Sequence, residues 1–136
     1  MIQRIQTLWL LLAVIAGILS IKFPFYTGHT LDYNALIELR GSWNVPILII
    51  TVISALISGI AIFLYKNRRK QTTYIIINII LSLIIIILYF LQTRNFIEGS
   101  FSLTSLFVFS IPIFLILALA GVRRDARIIR SLDRLR

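Results

Sequence analysis

The chain has 136 residues, 59% of them hydrophobic and only 14% charged, with a formal net charge of +9 and a mean hydropathy of +0.95. Soluble domains are about half apolar and about a quarter charged, so water is excluded as the solvent for most of this surface. There is no cysteine, which excludes disulfides, thiolate metal sites and lipidated cysteine anchors.

Four apolar runs, residues 5–21, 45–65, 73–91 and 103–121, approach or match the length of about 20 residues at 1.5 Å each that crosses a hydrocarbon core of about 30 Å. Their isoleucine content would suit strands in water. Runs this long without alternation exceed strand length, however, and lipid accepts only helices or closed barrels. The expected fold is therefore an all-α integral membrane protein, a single domain of four antiparallel transmembrane helices followed by a basic tail, residues 122–136.

Arg4 before the first run imitates a secretory signal. No small-x-small cleavage site follows, because the run passes through Leu19, Ser20 and Ile21 into Lys22, so a retained helix is expected. Trp9 falls near one interface and Phe23, Phe25 and Tyr26 near the other, the depths aromatic side chains favour. The connection 22–44 is the one long loop, broken early by Pro24 and Gly28. Within it Leu31, Tyr33, Ala35, Ile37 and Leu39 alternate with Asp32, Asn34, Glu38 and Arg40, Leu36 being the exception, a period of two that predicts a short strand over the bundle; an interfacial helix is the alternative. Asn44 is placed to cap the second helix, with Pro46 in its first turn. KNRRKQ, residues 66–71, is too short for helices two and three to be anything but antiparallel neighbours, and TRNFIEGS, residues 93–100, is as tight. Pro112 is expected to bend the fourth helix.

Charge predicts orientation. Eleven of the fourteen basic residues (Arg4, Lys66, Arg68, Arg69, Lys70, Arg123, Arg124, Arg127, Arg130, Arg134 and Arg136) belong to one end of this layout, and Lys22, Arg40 and Arg94 to the other. The positive-inside rule then puts both termini in the cytoplasm. The tail VRRDARIIRSLDRLR is expected to continue the fourth helix or to swivel at Gly121 into a helix along the headgroups, and as a helix it sets Ile128, Ile129, Leu132 and Leu135 against Arg123, Arg127, Arg130 and Arg134. Such a basic amphipathic segment docks on anionic headgroups or on a cytoplasmic partner. Without stacking aromatics its arginines offer nucleic acid only non-specific attraction, so no specific nucleic-acid partner is expected.

The polar residues inside the spans are few and aligned. On helix three Gln71, Tyr74, Asn78, Ser82, Tyr89 and Gln92 fall within an arc of about 80°, and on helix two Thr51, Ser54, Ser58, Ala61 and Tyr65 do the same. Their depths match. Ala13, Ala16, Gly17 and Ser20 give helix one a third small face. Interhelical bonding is the preferred role for Thr51, Ser54, Ser58, Tyr74, Asn78, Ser82 and Tyr89, and a polar groove that binds or passes a small solute is the alternative. No Asp, Glu, Lys, Arg or His lies within the apolar runs, so the usual signature of ion or proton coupling is missing. His29 is the one histidine, expected as a solvated loop residue, with neither metal-ligand spacing nor a nucleophile motif around it; no catalytic residue, metal site or cofactor is expected.

The opening MIQRIQTLWLLLA, the four-span layout, the basic middle link and the arginine-rich end resemble a family of short Bacteroidota membrane proteins known as domain of unknown function 4293. The resemblance covers the whole chain and implies a bacterial inner membrane, but no activity, ligand or site residue. The function expected from the residues is a non-enzymatic subunit or scaffold of a larger membrane assembly, touching a membrane-protein partner or a second copy. A small oligomeric transporter or channel using the stripe between helices two and three is the alternative.

Overall fold

The computed structural model describes residues 3–30 and 33–133. In chain order it contains α1 (Gln3–Lys22), β1 (Pro24–Thr30), β2 (Tyr33–Arg40), α2 (Val45–Phe63), α3 (Arg68–Thr93), β3 (Phe96–Phe101) and α4 (Leu106–Asp133), with short 3-10 turns at Leu64–Lys66 and Leu103–Ser105. All four helices are long and apolar enough to cross a membrane. α1 packs against α2 and α4, and α3 against the same two, so the bundle closes as a square.

The inward residues of each helix are spaced alternately by three and four. In α2 they are Ile47, Thr51, Ser54, Ser58 and Ala61; in α3, Gln71, Ile75, Asn78, Ser82, Ile85 and Tyr89. α1 contributes Gln6, Leu10, Ala13, Gly17 and Ser20, and α4 contributes Val108, Ile111, Leu115, Ala118, Val122 and Asp125. This is the seven-residue repeat of left-handed bundle packing, in which each inward side chain enters a gap on its neighbour. Many inward positions hold small or polar side chains, while Ile49, Leu56, Ile80, Leu83, Ile87 and Ile116 face outward. Lipid solvates isoleucine as well as a protein core does, so close approach and hydrogen bonds, rather than apolar burial, hold such helices together.

Three features correct or sharpen the expectation. The single strand foreseen over residues 31–40 is one of three: β2 pairs with β1, and β1 with β3, both antiparallel, in the order β2-β1-β3. The connection at residues 93–100, expected to be tight, supplies most of β3. Pairing of β1 with β3 joins segments about seventy residues apart, a contact that no local periodicity encodes. Gly28 lies opposite Gly99 in that ladder. A Cβ on Gly28 would overlap the Glu98 carbonyl oxygen, and one on Gly99 would sit 2.6 Å from the Thr27 carbonyl oxygen, so both positions need the absent side chain.

The fourth helix, second, takes the first of the two courses open to the tail and continues past Gly121. It runs unbroken through Pro112, itself buried, and through Gly121 to Asp133. Gly121 is a packing site and not a swivel, since a Cβ there would lie 2.7 Å from Gln6 Cγ. Third, Asn44 stands at the N-cap of α2 with Pro46 behind it, but its side chain makes no capping bond.

Candidate functional site

The bundle carries three polar or aromatic stations along its axis. The middle one is the Asn78 amide. Its nitrogen donates to Ser58 Oγ (2.6 Å) and to the Ser54 carbonyl (3.0 Å), and its oxygen accepts from Ser54 Oγ (2.6 Å). Asn78 is fully buried, and Ser54 and Ser58 nearly so. Three of the seven stripe residues are thus joined into one knot between α2 and α3. Thr51 and Ser82 are buried beside it but donate within their own helices, to the carbonyls of Ile47 and Ile79, both at 2.7 Å. Tyr74 does not join them. It is 37% exposed, because the buried row of α3 passes from Gln71 through Ile75 to Asn78 and leaves Tyr74 at its margin.

Tyr89 belongs to the second station, at the sheet end. Its hydroxyl donates to the Ser20 carbonyl (3.2 Å), and a Cβ at Gly41 would lie 2.6 Å from that hydroxyl, so glycine opens the space. Phe25, 1% exposed, stacks on the Tyr89 ring at 4.4 Å and meets Phe101 and Phe109 at 5.7 and 5.8 Å. The Ser102 N–H donates to the Phe25 carbonyl (3.1 Å), and the Thr104 hydroxyl donates to that of Pro24. The sheet thereby presses an aromatic plug into the end of the bundle. His29 sits on the central strand, opposite Leu36 and Glu98, rather than in a solvated loop.

The third station, at the opposite end, is one that helical periodicity within the apolar runs did not find. Asp125 of α4 is 6% exposed; one carboxylate oxygen accepts from the Gln6 amide of α1 and from Arg68 Nη1 of α3 (2.9 Å). Its other oxygen, like Oε1 of Gln71, is buried with no hydrogen-bond partner among the described residues. The Gln71 amide nitrogen donates to the Ala61 carbonyl at 3.0 Å. A buried carboxylate therefore ties three helices together. Its signal in the sequence is that Gln6 and Asp125 extend the inward rows, four residues before Leu10 and three after Val122.

Around that station lie the tail residues. Arg123, Arg127 and Arg130 are exposed, as are Ile128 and Ile129, at 41% and 47%. Arg134, Leu135 and Arg136 lie outside the described residues. The tail's first turn nevertheless belongs to the bundle, through Val122 and Asp125. Among the described residues no group of three or more His, Asp or Glu is placed to hold a metal ion.

Four apolar helices around a small-residue and polar interior, capped by a minor sheet, define an integral membrane protein. Residues 2–135 match the family model described as Domain of unknown function (DUF4293), and the chain belongs to that family. No curated protein and no solved structure matches it.

Proposed function

We propose that the chain is a non-enzymatic integral subunit that stabilises a larger assembly in a bacterial inner membrane, with both termini in the cytoplasm. One observation carries this reading: the groups available to line a solute path are already satisfied within the bundle, with Asn78 closed onto Ser54 and Ser58 and the Thr51 and Ser82 hydroxyls bonded to carbonyls of their own helices. The aromatic plug of Phe25, Tyr89, Phe101 and Phe109 at the sheet end adds support, since it occupies the place where a path would open. What is left to recognise a partner is the outward Ile/Leu surface and the exposed arginines of α4. A membrane-protein partner or a second copy is the class of ligand such a surface takes.

The deciding experiment is purification of the full chain from its native membrane in mild detergent. A specific protein recovered at fixed stoichiometry, or a defined homo-oligomer, is the expected result. A chain recovered alone that conducts ions or passes solute in proteoliposomes would replace this reading with the transporter.

A further inference from the structure

Beside the Asp125 station the 64–66 turn, the start of α3 and the extension of α4 border an open cleft of about 410 Å³, lined by Lys66, Asn67, Arg68, Ala126, Ile129 and Arg130. Three cations from three separate segments converge on it. Ala126, Ile129 and Arg130 share one face of α4 because they stand three and four residues apart. Arg68 is held differently from an ordinary flanking arginine. Its side chain is 16% exposed, and one nitrogen is fixed on the buried Asp125 carboxylate. A guanidinium carries five donors in a rigid fork, so that ion pair aims the group while leaving donors for the cleft. The three cations less Asp125 leave two net positive charges, and the N-terminus of the 26-residue α3 adds the positive end of its dipole.

From this geometry we infer that the cleft is a binding site for the phosphate of one anionic phospholipid headgroup. Phosphate is the acceptor that a guanidinium, an ammonium and a helix N-terminus together satisfy. Two observations favour the lipid over free phosphate. Ala126 and Ile129 form an apolar wall, useful to a glyceryl and acyl moiety and useless to a bare ion. Phe63 and Tyr65, 81% and 50% exposed just before Lys66, mark the depth at which headgroups meet hydrocarbon. Basic pockets between transmembrane helices at that depth select anionic lipid. The inference uses residues other than the arginine row of the tail, Arg130 excepted, and stands whether or not the chain works as a subunit.

The test is native mass spectrometry of the full chain in detergent, titrated with phosphatidylglycerol or phosphatidylcholine. One phosphatidylglycerol per chain is expected to be retained in preference to phosphatidylcholine. Lys66→Gln with Arg130→Gln should weaken that first binding step by at least about tenfold. Both residues are exposed, so folding is not at stake; Arg68 is left alone because it holds Asp125. The matched control, Arg69→Gln with Arg124→Gln, removes two charges from the same end but none from the cleft, and should leave the first step unchanged. Equal weakening in both variants would reduce the effect to diffuse attraction and overturn the site, as would equal retention of phosphatidylcholine. Displacement of phosphatidylglycerol by inorganic phosphate at low millimolar concentration would assign the cleft to free phosphate and overturn the lipid.

Discussion

Asn78 is fully buried between Ile75 and Ser82 on the inward row of α3, and its amide is satisfied by α2 alone, through two donated bonds and one accepted. Replacing it with Leu removes all three and leaves two serine hydroxyls facing hydrocarbon. Single hydrogen bonds in membranes contribute about 0.6 kcal/mol and at most about 2, so Asn78→Leu should destabilise the bundle by about 1 to 2 kcal/mol in a reversible unfolding measurement. Unchanged stability would mean that packing, and not the amide, joins the two helices. At the sheet end of α3, Phe25 of β1 fills the bundle mouth against Tyr89. Phe25→Ala opens a cavity there at a cost of about 3 to 5 kcal/mol, the range for large aromatic truncations. Hydrogen exchange should localise the loss to β1, β3 and the end of α3. Faster exchange spread evenly through all four helices would argue against a local plug.

Among the elements, the helices are locally determined and the sheet is not. Each helix carries its own apolar length and its own seven-residue row, so its neighbours only choose which way the row faces. The strands are short, and β3, with Phe101 and Ile97 exposed, has no strong alternation of its own. Its place depends on the close approach of Gly28 and Gly99. The chain's lack of cysteine makes this testable by crosslinking. Thr27 and Ser100 are ladder partners, so Thr27→Cys with Ser100→Cys should form a disulfide under mild oxidation, because paired antiparallel Cα atoms stand about 4.5 to 5.5 Å apart. Adding Gly28→Val should suppress it by forcing the strands apart. A crosslink that forms as fast with valine present would show that the glycine pair is not needed. No crosslink in the parent pair would remove β3 from the sheet.

For the whole molecule, Gln6, Arg68 and Asp125 bring the start of α1, the start of α3 and the extension of α4 to one end, while the sheet unites both connections at the other. The lopsided distribution of basic residues then becomes a lopsided pair of surfaces. Our proposal that the basic end faces the cytoplasm rests on the positive-inside rule. Single cysteines at the exposed positions Leu36 and Arg124 should therefore react oppositely with a membrane-impermeant maleimide. Leu36→Cys is expected to label in intact spheroplasts and Arg124→Cys only after permeabilisation. Labelling of both from the outside would contradict four crossings; the reverse pattern would invert the orientation.

Composition alone determined that lipid surrounds this chain, and the lengths of its apolar runs determined four helices, because both properties are sums over neighbouring residues. The stripe that joins α2 to α3 was legible as well. Asn78, Ser54 and Ser58 are polar exceptions in hydrocarbon, and helical geometry places exceptions at such spacings on one face. Tyr74 shows the limit of that geometry, since an arc of about 80° spans both the centre of an interface and its margin. Only the tertiary structure decided that Asp125 is a buried tie rather than one charge in a solvated tail. Its partners lie 119 and 57 residues away, and although Asp125 continues the inward row of α4 three residues after Val122, that spacing does not name them. The same holds for the sheet and for Gly121. Their roles arise where distant segments approach, and a contact of that kind has no period along the chain.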